Sequence, residues 1–345
     1  MSAELGIETK GALGLIRLNR PKAINALTLE MVNGLETALT RFAADPAIAA
    51  VLVSGEGERG LCAGGDIRAL YDHRAEGIGP GLAFFAAEYR LNAQIAAFPK
   101  PYIAFMDGIT MGGGVGISAH GAVRIVTERT RLAMPETGIG FFPDVGASWL
   151  LSRAPGELGT YLALTGQIIG GADAILAGLA DALVESSALP ALRADLEALP
   201  ASATQADIIA LLPRDVPEAK LAAHLDLINR CFAFDDASQI VQALAQDGSA
   251  FAQETLDVLA QKSPTGMQVA LRLLRAARAS ADVRECLQRE YAACAQVLAT
   301  AEFYEGVRAA VVDKDRQPKW NPSSLAEVTP ALIAPYFRPA QDQLF

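Results

Sequence analysis

Two glycine-rich turns constrain this chain more than any other feature: Cys62-Ala63-Gly64-Gly65-Asp66 and Met111-Gly112-Gly113-Gly114-Val115-Gly116. Each follows an apolar strand-like run, Ala50-Val51-Leu52-Val53 or Tyr102-Ile103-Ala104-Phe105-Met106, and each leads into a helix-like segment. Glycine lets a backbone turn sharply and lets a ligand come close to bare N–H groups. Two such turns can aim two N–H groups at one oxygen, which is the arrangement of an oxyanion hole. They can equally serve only as tight strand-to-helix connections, where glycine is the default residue.

The rest of the first half repeats the alternation. Residues 5–9 and 13–18 read as an antiparallel pair around Gly11, and Thr28 caps a helix running to about Ala44, with Leu29, Val32, Leu35, Leu39 and Phe42 at helical spacing. Strands are expected over 49–54, 102–106 and 122–127, with helices near 66–74, 81–97 and from the second glycine turn to about His120. This order predicts an α/β fold with mostly parallel pairing. Beyond about 145 the chain reads as helical over 145–178, strand-like over 181–184, and mostly Ala/Leu-rich helix over 190–310. We therefore divide it into 1–185 and 186–345.

Composition narrows the function. A net charge of -10 and 51% hydrophobic residues fit a globular protein with a large core and argue against a general nucleic-acid binder, which needs a basic face. Apolar stretches are broken by charges, Gly and Pro before membrane-spanning length. The N-terminal residues read as neither a secretory signal nor a transit peptide. Four cysteines, Cys62, Cys231, Cys286 and Cys294, lack metal-ligand spacing, so the expected location is a reducing cytoplasm. The three histidines are scattered and suggest neither a metal site nor a triad.

Taken together, four segments resemble the crotonase (enoyl-CoA hydratase/isomerase) superfamily: residues 20–27 (RPKAINAL), 62–67 (CAGGDI), 108–116 (GITMGGGVG) and Met134-Pro135-Glu136. Residues 88–92, 135–146 (PETGIGFFPDVG) and 303–320 extend the resemblance to its 3-hydroxyisobutyryl-CoA hydrolase branch, together with Gly116 where hydratases carry a Glu. The resemblance implies a spiral of ββα repeats with a C-terminal helical region, often trimeric or hexameric. It implies an acyl-CoA thioester hydrolase of valine degradation that needs no cofactor, coenzyme A being part of the substrate. Hydratases pair two carboxylates, one as base and one as acid. Gly116 removes one of them, which favours hydrolysis over hydration; a hydratase, an isomerase and a non-catalytic CoA-binding protein are the alternatives.

The resemblance also assigns residues. It implies that the N–H groups of Gly65 and Gly113 form the oxyanion hole, with Gly113 at a helix start where the dipole favours negative charge. Glu136, beside Ile139, Phe141 and Phe142, can have its pKa raised by desolvation and act as base or nucleophile; otherwise it is a solvated loop residue. Asp144 is implied to face the substrate's 3-hydroxyl or the attacking water, and on local sequence it is also an N-cap candidate. Glu88 is implied to line the substrate site, although its pattern also suits the polar face of a helix. Lys22 and Arg68 match positions that hold the adenosine and phosphate end of CoA, with Lys314 a further contributor; each also reads as an ordinary surface charge. Cys62 reads as small and buried, not as a nucleophile.

Overall fold

The structure, a computed structural model, describes residues 4–340 and 343–345. It divides into two compact units that interleave along the chain, rather than at a single cut near 185. The first comprises the chain up to Gly65, Arg90–Ala133 and Ile168–Ala219; the second comprises Asp66–Tyr89, Met134–Gln167 and the chain from Lys220 onward.

All described strands lie in the first unit: β1 (Leu5–Lys10), β2 (Leu13–Leu18), β3 (Ala50–Gly55), β4 (Gly60–Cys62), β5 (Tyr102–Met106), β6 (Ile109–Met111), β7 (Val123–Val126), β8 (Arg131–Ala133) and β9 (Ala182–Leu183). They form a six-stranded sheet, β1-β2-β3-β5-β7-β9, and a three-stranded sheet, β4-β6-β8. Only β1 and β2 pair antiparallel; the other pairs are parallel. Consecutive strands β3 and β4, β5 and β6, and β7 and β8 thus contribute one strand to each sheet, which is the ββα spiral that the motifs imply.

The central strands β3 and β5 are buried on both faces, so they read as apolar runs rather than alternating ones, whereas edge strand β1 is largely exposed. All of β5 is buried. On one face, Leu13, Leu15, Leu52, Ile103, Phe105 and Ile125 pack with Leu192, Leu196 and Ile208 from the helices Leu189–Glu197 and Gln205–Ile209. Against the other face, the Phe42 ring of helix Leu29–Ala44 fills the space that a Cβ would occupy at Gly14. Thr28 caps that helix as expected, its side chain accepting from the Met31 N–H.

Two expectations need correction. The helix after the second glycine turn is a single turn, Gly113–Gly116, rather than a segment to His120. One turn sums too few peptide dipoles to act as a macrodipole, so any help to an anion there comes from individual N–H groups. Residues 145–178 are not one helical stretch but three short helices, Ala147–Leu151, Leu158–Thr165 and Gly171–Leu176.

The second unit is helical. Pro264–Ala277 and Val283–Leu298 are its long helices after residue 220, joined by the shorter Ala301–Val307. An aromatic cluster runs through this unit: Phe141 stacks on Phe85 at 5.3 Å and on Phe142 at 4.6 Å, with Phe303 at 5.4 Å. No helix among the described residues is long and apolar enough to cross a membrane.

Candidate active site

In the first unit, the glycine turns leave neighbouring parallel strands. β4 pairs with β6 through Gly60 and Ile109 and through Cys62 and Thr110, so both strands reach their turns at the same, C-terminal end of the sheet. These short feeder strands were missing from the sequence reading, because three-residue strands show no periodicity. A Cβ on Gly64 would lie 3.6 Å from the Gly113 nitrogen, which sets the two turns side by side. Gly114 has no room for any side chain, since a Cβ there would stand 2.4 Å from the Cys62 carbonyl oxygen.

Neighbouring N–H groups of these turns are occupied: Gly112 donates to Ala133, and Val115 and Gly116 donate back to Gly112. Among the described residues, neither the Gly65 nor the Gly113 N–H donates to a protein carbonyl. Backbone donors left without a protein acceptor in a tight turn are available to an oxyanion. Cys62 is buried, and its Sγ accepts from the Gly64 N–H at 3.4 Å, a structural role as expected.

In the second unit, the structure brings Glu88, Glu136 and Asp144 together. Each is almost fully buried, at 2%, 7% and 5% exposure, which rules out a solvated loop for Glu136 and a polar helix face for Glu88. Glu88 sits in helix Gly79–Ala96, Glu136 opens the 3-10 turn Glu136–Ile139, and Asp144 precedes helix Ala147–Leu151. The tight seat of the 136 turn comes from Gly140, at φ 70°, where a Cβ would meet the Glu302 carbonyl oxygen at 2.5 Å.

Asp144 does not cap the helix. Gly146 holds the cap position, and the Asp144 side chain instead accepts from the Tyr89 hydroxyl at 2.6 Å. Among the described residues, Glu88 Oε1 and Glu136 Oε2 are buried without a hydrogen-bond partner. Orphaned polar atoms of this kind are rare, and they call for a ligand or a chemical role.

The electrostatics agree. Burial pushes Glu136 well above the ordinary carboxylate range, and the Asp144 and Glu88 charges add to the effect. Burial and the Asp144 charge do the same to Glu88. Asp144 itself is pushed up to about 7 by burial, with the Tyr89 hydrogen bond pulling down and the Glu290 charge pushing up. Lys262 acts in the opposite sense, holding Glu136 lower than it would otherwise be, while burial depresses the Lys262 ammonium itself.

Arg68 is exposed and pairs with Asp72 at 3.0 Å, and Lys22 is exposed as well. Neither carries a feature that sets it apart from an ordinary surface cation. Lys262 and Glu290 were absent from the sequence reading, and Tyr89 entered it only within the 88–92 resemblance, with no role of its own. Only Glu290 leaves a signal there: it interrupts the buried stripe Val283, Cys286, Leu287, Cys294 and Val297 of its helix, where the spacing calls for an apolar residue.

The family model for enoyl-CoA hydratase/isomerase matches residues 13–337. The chain belongs to the enoyl-CoA hydratase/isomerase family. The curated 3-hydroxyisobutyryl-CoA hydrolase, mitochondrial, of Rattus norvegicus is 41% identical over 98% of this chain and 89% of the relative. The Xenopus tropicalis protein of the same name is 44% identical over 95% and 86%. Among solved structures, a carnitinyl-CoA dehydratase from Mycobacterium thermoresistibile is 41% identical with a TM-score of 0.94, covering 100% of this chain and 99% of its own. An enoyl-CoA hydratase from Rhodobacter sphaeroides 2.4.1 is 40% identical with a TM-score of 0.91, covering 98% of each chain. The family's fold is therefore shared along the whole chain, while these names divide between hydrolysis and hydration or dehydration.

Proposed function

We propose that this protein hydrolyses the thioester of 3-hydroxyisobutyryl-CoA, yielding 3-hydroxyisobutyrate and free CoA. The observation that carries the reading is the buried group Glu88, Glu136 and Asp144, with two carboxylate oxygens left unpartnered among the described residues. Gly116 stands where the family's hydratases carry their second acid, which weakens the two-carboxylate route to hydration. The hydrolase names of the curated relatives support the same choice.

In this reading, the thioester carbonyl oxygen is received by the Gly65 and Gly113 N–H groups. One such donor is worth about 2.7–4 kcal/mol of transition-state stabilisation in other enzymes. Glu136 attacks the carbonyl or takes a proton from the attacking water. Burial raises the Glu136 pKa, which makes its ionised form the stronger base and nucleophile. Glu88 and Asp144 hold the 3-hydroxyl or steer the water. Lys22 and Arg68 receive the CoA phosphates. Thioester hydrolysis exchanges no electrons and consumes only water, so no redox cofactor enters. The four buried cysteines form no disulfide among the described residues, which supports a reducing compartment, and we place the protein in the cytoplasm, although its curated relatives are named as mitochondrial; cell fractionation decides between the two.

The test is free-thiol release from 3-hydroxyisobutyryl-CoA, run beside hydration of crotonyl-CoA, for the parent and Glu136→Gln. We expect rapid thiol release, little hydration, and a loss on the order of 10²–10⁴-fold in the variant, the usual contribution of a positioned proton-transfer group. Efficient hydration without thiol release would overturn the reading in favour of a hydratase. CoA binding with neither activity would leave a non-catalytic protein.

A further inference from the structure

The turn that carries Asp144 holds a backbone conformation that its sequence does not favour. Val145 adopts φ 55° and Gly146 φ 77°, both left-handed. Gly146 accepts this freely, but a β-branched residue there is strained. Such strain persists only where the surroundings over-determine it, and it concentrates at functional positions.

Within the turn the Ala147 N–H donates to the Asp144 carbonyl at 2.8 Å, and a buried side chain from a distant helix grips the turn as well. Glu290, fully buried in helix Val283–Leu298, accepts from the Gly146 N–H on Oε2 at 2.7 Å and from the Ser148 N–H on Oε1 at 3.1 Å, and Oε1 also takes the Ser148 hydroxyl. Each carboxylate oxygen therefore grips a backbone N–H of this turn, and backbone N–H groups can only donate. A carboxylate satisfies both; a glutamine amide places an acceptor at only one of the two points and a donor at the other. On Asp144 itself, the Tyr89 hydroxyl holds Oδ2 at 2.6 Å.

We propose that Glu290 is a positioning residue for Asp144: its buried carboxylate clamps the N–H groups of Gly146 and Ser148, enforces the left-handed Val145 and so aims Asp144 within the carboxyl cluster. This inference deepens the hydrolase reading and rests on it. Glu290 reaches no reacting atom; it acts through the turn. It also acts through charge. The groups facing Asp144 are Tyr89, Glu88, Glu136, Cys294 and Glu290, and of these the Glu290 charge helps hold its proton on. Arg289 and Cys286, on the same helix, are the further titratable or charged groups near Glu290.

The experiment compares the full-length parent, Glu290→Gln, Ser148→Ala and the double variant Glu290→Gln/Val145→Gly. Thiol release gives kcat and KM. The Asp144 carboxyl titration, followed by 13C NMR of aspartate-labelled protein with Asp144→Asn as the subtraction control, reads the site without turnover. For Glu290→Gln we expect kcat to fall on the order of 10²-fold with KM little changed, the scale of a misplaced catalytic group. The Asp144 titration should move to lower pH by roughly one pH unit, because a like charge has been removed. Adding Val145→Gly should restore part of kcat, because glycine adopts the left-handed turn without the clamp. Ser148→Ala, which keeps both backbone grips, should show a smaller change in the same direction, and it supplies the answer if Glu290→Gln does not fold. Parental kcat and an unmoved Asp144 titration in Glu290→Gln, or in Ser148→Ala where that variant alone folds, would overturn the proposal and leave Glu290 as a core-satisfying residue. Failure of the parent to release thiol would refute the hydrolase reading instead, while the NMR titration still tests the clamp.

Discussion

Asp144→Asn should make this protein more stable than its parent near pH 8, and the gain should disappear near pH 4, because the exchange removes a buried group that resists ionisation. Burial raises the folded pKa of Asp144 from 3.8 to about 7, with the Glu290 charge contributing and the Tyr89 hydrogen bond opposing. Between those values the folded chain holds a proton that the unfolded chain has released. Stability falls as pH rises wherever the folded state binds more protons. The contribution is therefore complete below about 3.8 and is lost as pH rises through about 7. That interval corresponds to about 4 kcal/mol at 1.36 kcal/mol for each tenfold change. It is an upper figure, because Glu88 and Glu136 compete for charge in the same cluster. Asparagine keeps an oxygen for the Tyr89 hydroxyl and cannot ionise, so the exchange removes the titration and little else. Urea unfolding of both proteins at several pH values reads the difference directly, provided the m-values agree. A difference that stays constant from about pH 4 to about pH 8 would refute the argument that burial keeps this carboxyl protonated.

Three further outcomes test separate parts of the site. Tyr89→Phe removes a hydrogen bond that favours the ionised form, so the Asp144 titration should rise in pH, with a stability loss of about 0.5–1.5 kcal/mol in thermal or urea unfolding. Lys262→Met removes the cation that lowers the Glu136 pKa, so the acidic limb of the pH–kcat/KM profile should move to higher pH; an unmoved limb would separate Lys262 from Glu136. Gly114→Ala forces a Cβ to within 2.4 Å of the Cys62 carbonyl, so the turn must shift, at a cost of about 1–3 kcal/mol. Thiol release should fall further in that variant than its loss of stability alone explains, which activity measured well below the unfolding midpoint will reveal.

Some of this protein was legible in the order of its residues. Helix Leu29–Ala44, strand Tyr102–Met106 and the β1–β2 pair follow from spacing, capping and turn chemistry, all set by near neighbours in the chain. The glycine turns announce themselves because only glycine tolerates backbone contacts such as that between Gly114 and Cys62. Glu88, Glu136 and Asp144 were found by resemblance; local pattern alone favoured solvent for Glu136 and left a cap open for Asp144. What decided their chemistry was burial, which depends on everything that packs around them. Tyr89 meets Asp144 across 55 residues and Glu290 meets Gly146 across 144, and no local pattern encodes either contact. The short feeder strands β4 and β6 likewise exist only because each finds the other. Local sequence thus determined where this backbone turns and which residues could carry chemistry. The tertiary structure decided which carboxyls lose water, and so which hold their protons, because desolvation is set by the packed surroundings and not by the neighbouring residues in the chain.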